Sequence, residues 1–302
     1  MTGVQTFLPK RTSGLIFHAV LLLLILAGIG FFIWMAFRQS GGVQLVLFLA
    51  GALILLGVFP FIAYRGYALL HAHYDLERDG LHVRWGLRVL DIPINEVEWV
   101  RPAEDILIPL KAPAFSTPGA ISGERLHEDL GKIEFIASSM SNLVIVATMN
   151  QVVVVSPEDH EEFITRFNRT IEMGSLSPIH AVSNKPAIFL RQILADRAAR
   201  VMIPLGFGLW FALLVLTSIA IPGISLLSLG YDASGLLTKP VASSGMLILP
   251  IIAALFYLVS LIGGAYSYRI LPNRPVAYIL WASGVLTPAL LILAAVLFLI
   301  WQ

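Results

Sequence analysis

Five long apolar segments constrain the fold of this chain more than any other feature of its sequence. Each has more than 20 residues and no Asp, Glu, Lys or Arg, and they cover residues 14–37, 43–64, 201–221, 245–266 and 276–301. A helix rises about 1.5 Å per residue, so about 20 apolar residues cross the roughly 30 Å hydrocarbon core of a bilayer. The sequence therefore predicts an integral membrane protein with about five transmembrane helices.

The acidic residues are confined to the middle of the chain. Of the 19 Asp and Glu residues, all but Asp232 lie between Asp75 and Asp196, although only 13% of the whole chain is charged. Soluble domains carry about a quarter charged residues, so the two ends require lipid and the middle is expected to be a soluble domain. The chain has no cysteine, which excludes disulfides, zinc–thiolate sites and a cysteine nucleophile.

The basic residues near the ends of the predicted spans are distributed asymmetrically. Lys and Arg close to transmembrane helices remain on the cytoplasmic side. With five spans, Arg38 and Lys239 lie on one side, and the other side holds Lys10, Arg11, Arg65, Arg191, Arg197, Arg200, Arg269 and Arg274. This pattern predicts a cytoplasmic N-terminus and middle domain, an external C-terminus, and an external loop at 222–244.

The middle segment changes to the two-residue period of β-strands. HAHYDLERDGLHVRWG alternates around Asp79 and Gly80, a pair that tolerates positive φ and predicts a hairpin. Further strands are predicted at 88–94, 97–100, 132–137, 142–148 and 151–155. A helix is then predicted, with Ser156 as its N-cap and one apolar face containing Phe163 and Phe167. The order is about seven strands followed by one amphipathic helix.

These segments resemble, in order, the pleckstrin-homology-like (PH) domains of bacterial membrane proteins. The resemblance rests on the hairpin of spans before the domain and on YDLERDGLHVRWG, LDIPINEVEWV, PGAISG, LGKIEF, NLVIVAT and VVVVSPEDHEEFITRF. It covers roughly residues 43–167. It implies a β-barrel and attachment to a bacterial inner membrane, and it implies no reaction.

The predicted fold class is an α+β membrane protein: about five transmembrane helices with an inserted PH-like β-barrel closed by a C-terminal helix. The predicted parts are a transmembrane hairpin at 1–66, a cytoplasmic PH-like domain at 67–175, a linker with a juxtamembrane helix at 176–200, and three transmembrane helices at 201–302. The spans after the domain are not covered by the resemblance.

Three histidines are candidates for metal or proton chemistry. His71 and His73 have the spacing of two ligands on one strand face, but no third ligand is evident near them, which favours an interfacial role. His18 lies near the cytoplasmic end of the first span, where packing or a headgroup contact is expected rather than proton transfer.

Other polar residues offer weaker candidates for catalysis. The carboxylates Glu124, Glu128, Asp129 and Glu134 are expected to be solvated loop charges rather than acid–base groups. Ser138, Ser139 and Ser141 lack the strand–turn–helix context of a nucleophile elbow. We therefore predict no catalytic, cofactor-binding or metal-binding residues, and a protein that is not an enzyme.

The segment 103–120 is apolar, rich in proline and bounded by charge. It is interpreted either as a cover for the barrel or membrane surface, or as a partner-binding loop, because exposed apolar patches rimmed by charge mark interaction sites. The candidate partner-binding residues are Ile106, Leu107, Ile108, Leu110 and Phe115.

The net charge of the middle domain favours some classes of binding partner over others. Residues 67–173 contain nine Lys and Arg against 17 Asp and Glu, a net charge of −8. Anionic headgroups and nucleic acids both require a basic face. We therefore predict a scaffold or accessory subunit in the lipid bilayer whose domain binds another membrane or cytoplasmic protein or self-associates, without nucleic acid or a cofactor. The alternatives are a membrane enzyme or transport component with a site among the last three spans, and a lipid-binding sensor that uses the apolar loop.

Overall fold

A computed structural model of the chain describes residues 4–39, 41–175, 179–184, 192–224, 226–227, 241–270 and 274–300. Parts of the predicted linker at 176–200 and of the predicted external loop at 222–244 lie outside these residues. The described residues divide into two compact units, one formed by residues 1–26 with 56–186 and the other by residues 27–55 with 187–302.

The described residues contain five long apolar helices and one shorter amphipathic helix. In chain order they are α1 (Thr12–Phe37), α2 (Val43–Leu70), α3 (His160–Met173), α4 (Arg197–Ala220), α5 (Ile248–Arg269) and α6 (Arg274–Ile300). All except α3 are long and apolar enough to cross a membrane. The five predicted spans are therefore present as helices. The helix α2 continues six residues beyond the predicted end at residue 64, because a charge at Arg65 ends the apolar run without ending the helix.

The strands of the described residues form two five-stranded sheets and one short pair. They are β1 (Gln5–Phe7), β2 (His73–Leu76), β3 (Gly80–Trp85), β4 (Arg88–Pro93), β5 (Val97–Pro102), β6 (Ile121–His127), β7 (Gly131–Ala137), β8 (Val144–Thr148), β9 (Val152–Val155), β10 (Val182–Asn184), β11 (Leu226–Leu227) and β12 (Val241–Ala242). The first sheet has the order β1-β2-β3-β4-β10, the second has the order β5-β8-β9-β7-β6, and β11 pairs with β12. Only the β7–β9 pair in the described sheets is parallel.

No sheet among the described residues closes into a barrel, so this part of the fold prediction is wrong. A 3₁₀ turn at Ile94–Glu96 carries the chain from β4 in the first sheet to β5 in the second. Two short strands from outside the predicted domain occupy both edges of the first sheet. The strand β1 pairs with β2, and β10 pairs with β4, so the edges that closure would require are already hydrogen-bonded.

The strand β6 is absent from the predicted pattern. It lies in the segment that was read as a Pro- and Gly-rich loop, and its sequence ISGERLH shows no apolar alternation. Its structure comes from pairing with β7, from Ile121 opposite Ala137 to His127 opposite Gly131. Pairing with the next strand along the chain therefore makes this segment a β-strand, although its own sequence does not predict one.

The predicted hairpin at Asp79 and Gly80 is confirmed, but the reason for the glycine differs. The strands β2 and β3 pair from His73 opposite Arg84 to Leu76 opposite Leu81. Gly80 is the first residue of β3 and is not among the glycines with positive φ. A Cβ atom on Gly80 would lie 2.5 Å from the carbonyl oxygen of Ile92, so the close approach of β4 requires a glycine there.

The helix α3 begins three residues later than the predicted cap implies. Asp159 is the N-cap, and its carboxylate accepts a hydrogen bond from the amide of Glu162 at 2.9 Å. The predicted cap, Ser156, instead accepts a hydrogen bond from the amide of Ser138 at 2.7 Å. The carboxylate is the better cap here because it also complements the positive end of the helix dipole.

The two sheets and α3 share one apolar core. Phe163 and Phe167 are fully buried, as predicted, in a cluster with Leu81 of the first sheet and Val146 of the second. Tyr74 also lies in this cluster, and its hydroxyl donates to the carbonyl of Ile136 at 2.8 Å. Burial raises the pKa of Tyr74 far above its usual range.

In the second unit, α4, α5 and α6 approach each other closely at small residues. A Cβ atom on Gly264 would lie 2.2 Å from Nε1 of Trp281, and one on Gly206 would lie 2.9 Å from the carbonyl of Gly284. These contacts confirm the packing role expected for glycines in membrane helices.

Replacing Phe163 by Ala is expected to lower the stability of the domain by about 3–5 kcal/mol, because the change removes a fully buried ring from the shared core. Hydrogen exchange of the full chain in detergent should show faster exchange in α3 and β5. The exposed residue Thr165 on the same helix provides the control, since Thr165→Ala should leave exchange nearly unchanged. Equal exchange in the two variants would show that α3 does not depend on the core.

Candidate functional site

The predicted partner-binding loop lies between β5 and β6, and its residues divide between buried and exposed positions. Ile106 and Leu110 are half-buried against the apolar cluster that contains Phe135. Leu107 is 98% exposed and Phe115 is 84% exposed. The loop therefore has both predicted features, since some residues cover the second sheet and others project into the surroundings.

The first half of the loop forms one wall of a cleft of about 170 Å³. Ile108 and Leu110 face Leu126 of β6, and Phe135 of β7 also lines the cleft. Nε2 of His127 donates to the carbonyl of Ile108 at 3.1 Å, which holds this half of the loop against β6. The volume is below the 300–1,000 Å³ of typical small-molecule sites, so the cleft fits a single apolar side chain better than a cofactor.

The second half of the loop contacts the helices through a chain of hydrogen bonds. A guanidinium nitrogen of Arg65 in α2 donates to the hydroxyl of Thr117 at 3.1 Å. That hydroxyl lies 3.4 Å from Nε2 of the buried His18 in α1, whose Nδ1 lies 2.7 Å from the carbonyl of Gly14. Nδ1 therefore donates to Gly14, and Nε2 accepts from Thr117. His18 has the packing role that was expected.

Two glycines allow α1 and the loop to touch. A Cβ atom on Gly14 would lie 2.5 Å from the Cα of Gly119, and one on Gly119 would lie 2.5 Å from the Cα of Gly14. Gly119 also has φ of 81°, which a side chain disfavours. The loop can reach Arg65 only because neither position carries a side chain.

The β3–β4 turn also contacts α2, close to Arg65. The amide of Leu87, in the β3–β4 turn, donates to the hydroxyl of Tyr64 at 3.2 Å. Gly86 has φ of 59°, and a Cβ atom there would lie 2.8 Å from the side chain of Ala68. The side chain of Leu87 is 59% exposed. Two exposed apolar residues, Leu87 and Phe115, therefore belong to turns that are fastened to one helix end.

The two histidines considered as metal ligands lie at the exposed start of the domain. His71 Nδ1 lies 2.9 Å from the carbonyl of Tyr67, and His73 Nδ1 lies 3.0 Å from the carbonyl of His71. Nε2 of His73 lies 3.4 Å from the carboxylate of Asp75. Within the described part of the chain, no group of three or more His, Cys, Asp and Glu residues could hold a metal ion.

Two carboxylates of the acidic run, Glu124 and Glu134, lie opposite each other on β6 and β7, and each has its own basic partner. Glu134 receives two hydrogen bonds from Arg88, at 2.8 and 2.9 Å, and this ion pair is largely buried between β4 and β7. Glu124 pairs with Lys132 at 2.8 Å. Glu128 and Asp129 occupy the β6–β7 turn region. The structure therefore does not gather these four residues into one acid–base site.

The serines considered as nucleophiles bond to each other and to the backbone. The hydroxyl of Ser139 donates to the carbonyl of Ser141 at 2.9 Å, and the buried hydroxyl of Ser138 lies 3.2 Å from that of Ser156. The first bond lies within the turn after β7, and the second contact joins the ends of β7 and β9.

The arginines that could form a basic pocket on the domain, Arg84, Arg88 and Arg101, have separate partners. Arg84 pairs with Asp91 at 2.5 Å, and Arg101 lies over the ring of Trp99. Burial favours a higher pKa for Asp91, but hydrogen bonds from Arg84 and His82 outweigh burial and hold the pKa below its usual range. Since Arg88 is paired with Glu134, two of the three candidate arginines are already neutralised.

Sequence reasoning missed a polar cluster at one end of the last three helices. The carboxylate of Asp196 caps α4 by accepting from the amides of Ala198 and Ala199 at 2.9 and 3.2 Å. It also accepts from the hydroxyls of Tyr278 at 2.7 Å and Tyr268 at 3.2 Å. Burial favours a higher pKa for Asp196, but these hydrogen bonds hold the pKa below its usual range. The available signal was an acidic residue five positions before the apolar run that begins at Val201.

The apolar helices and the two-sheet domain together define a class of protein: an integral membrane protein with an inserted β-rich domain. Residues 72–171 match the family model described as Bacterial PH domain. This segment is therefore similar to bacterial PH domains, which confirms the resemblance seen in the sequence. Comparisons with curated proteins and with solved structures found no match.

Replacing Gly14 by Ala should displace the loop at Gly119, because the added methyl group has no space. The amides of Thr117, Gly119 and Ala120 should exchange hydrogen about tenfold faster in the full chain in detergent, equivalent to about 1.4 kcal/mol. Gly30→Ala is the control, since a Cβ atom on Gly30 of the same helix meets nothing within 4 Å and alanine favours the helix. Similar exchange in both variants would contradict the proposed close packing.

Proposed function

We propose that the chain is a non-enzymatic integral membrane scaffold or accessory subunit whose PH domain binds another protein. The observation that carries this proposal is the pair of exposed leucines beside the cleft. Leu107 is 98% exposed and Leu126 is 81% exposed, while the cleft between the loop and β6 has room for an apolar side chain. Apolar side chains with this exposure around a concave apolar surface are typical of an interaction site.

The charges of the domain support a protein partner over nucleic acid. The net charge of residues 67–173 is −8, and two of the three arginines that could form a basic pocket are paired with carboxylates. The cleft is lined by Lys111, Arg125 and Glu128 beside its apolar residues. A partner that places an apolar residue in the cleft and carries both charges around it would be complementary to this surface. The partner in this proposal is a membrane or cytoplasmic protein, or a second copy of the chain.

A photoreactive amino acid at Leu107 of the full chain in cells should give one discrete crosslinked product. The additional change Leu126→Glu should reduce the yield of that product about tenfold or more, because a charge at the cleft opposes an apolar residue. Met149, which is exposed in the β8–β9 turn, is the matched control position and should not give the product. The same product from Met149, or a yield that Leu126→Glu leaves unchanged, would contradict the proposed surface.

The proposed location is the bacterial inner membrane, with the PH domain in the cytoplasm and the C-terminus outside. The support is the distribution of Lys and Arg around the five apolar helices.

Reporter fusions should test this orientation directly. A topology reporter joined at Ser177 is expected on the cytoplasmic side, and the same reporter after Gln302 is expected outside, because three spans separate the two positions. Activity of both fusions on the same side of the membrane would exclude the five-span arrangement.

A further inference from the structure

Arg65 is a buried cation without a carboxylate partner among the described residues. It is only 9% exposed, and its guanidinium lies 4.4 Å from the centre of the Phe61 ring. One of its nitrogens donates to Thr117, and no described ion pair includes it. By contrast, the buried Arg88 has two hydrogen bonds to Glu134. A buried charge requires compensation, and no described residue supplies the counter-charge of Arg65.

The remaining donors of Arg65 are accessible to such a group. Its Nε and second terminal nitrogen have no described protein acceptor, and neither is among the buried polar atoms that lack a partner. Side chains on a helix point toward its N-terminus, and the contact with Phe61 four residues earlier confirms this direction for Arg65. The guanidinium is therefore directed back along α2 by about one turn and lies beside Phe61.

The position of Arg65 along α2 corresponds to the headgroup level of a bilayer. The helices α1 and α2 are joined by a short turn after Phe37, and α2 begins at Val43. About 20 residues of helix cross the hydrocarbon core, so the core ends near His18 on α1 and just before Arg65 on α2. Arg65 is also the first charged residue along α2.

Two exposed apolar residues belong to the turns held at this level. Phe115 precedes the Thr117 contact by two residues, and its φ of 60° keeps its side chain 84% exposed. Leu87 is in the turn whose amide bonds to Tyr64, the residue before Arg65. Apolar groups beside a cation, at the end of a span, match the boundary between acyl chains and headgroups.

We propose that Arg65, held by Thr117, binds the phosphate of a membrane phospholipid, with Phe115 and Leu87 inserted at the acyl–headgroup boundary. A guanidinium recognises phosphate through two parallel N–H donors, and all phospholipids offer this group whatever their net charge. The site is therefore compatible with an acidic domain, because it depends on one positioned cation rather than on long-range attraction. The predicted domain at 67–175 lacks Arg65, so the site requires the full chain.

Native mass spectrometry of the delipidated full chain in neutral detergent can test the proposal. The probes are phosphatidylglycerol, phosphatidylcholine, diacylglycerol and inorganic phosphate. Both phospholipids should bind one saturable site, diacylglycerol should not, and Arg65→Gln should weaken phospholipid binding about tenfold or more, as expected for loss of a charge-assisted hydrogen bond. Arg38→Gln is the control, since Arg38 also lies over an aromatic ring, that of Trp34, at the other end of α1.

Three results would overturn the proposal. They are unchanged phospholipid binding by Arg65→Gln, equal binding of diacylglycerol, and binding of inorganic phosphate as tight as that of the lipids, which would indicate a free-anion site. If Arg65→Gln does not fold, Thr117→Val decides the question, because it keeps the shape of the loop and removes the hydroxyl that positions the guanidinium. A several-fold loss of phospholipid binding by Thr117→Val supports the site, and wild-type binding overturns it.

Discussion

The end of α2 is the element on which the PH domain depends. The helix has 28 residues, about 42 Å, and a bilayer core accounts for about 30 Å of this length. The excess enters the domain: Ala68, Leu69 and Ala72 are buried in the same core as Phe163 and Phe167. Because β2 begins at His73, span and domain share one continuous, packed segment. The end of the helix therefore forms part of the interior of the domain.

Two buried arginines of the first unit, Arg88 and Arg65, have different kinds of partner. Arg88 lies between the two sheets, where water has little access, and Glu134 neutralises it with two hydrogen bonds. Arg65 lies on α2 at the end of the apolar run, and the described residues supply only a hydroxyl and an aromatic face. In the interior the counter-charge has to be part of the protein, whereas at a membrane boundary the lipid phosphates are already present. The difference in partners therefore follows from the surroundings of each arginine.

Local patterns in the sequence predict the elements that depend on their own residues. The five apolar helices, the β2–β3 hairpin and the buried face of α3 follow from hydrophobic periods. The strands β1 and β10 do not, since each has three residues and exists by pairing with a strand distant in sequence, as Gln5–Phe7 does with β2. The strand β6 pairs with the next strand, β7, but its sequence shows no apolar alternation. The predicted barrel is wrong because β1 and β10 occupy both edges of the first sheet. The close approach of Gly14 to Gly119 and the hydrogen bonds from two tyrosines to Asp196 also join residues far apart in sequence. Such contacts cannot be predicted from the sequence alone.

The net charge of the domain determines its long-range attraction to a membrane, whereas the chemistry of a single site determines its local contacts. A charge of −8 acts over roughly the Debye length, about 10 Å at moderate salt, and determines whether the free domain is drawn to an anionic surface. A domain that is already fixed to a transmembrane helix does not need this attraction. Contacts at the bilayer surface then depend on which residues the helix holds at that depth, and here these are Arg65, Leu87 and Phe115. The acidic surface remains available for protein partners because the lipid contact uses a separate part of the loop from the cleft beside Leu107 and Leu126.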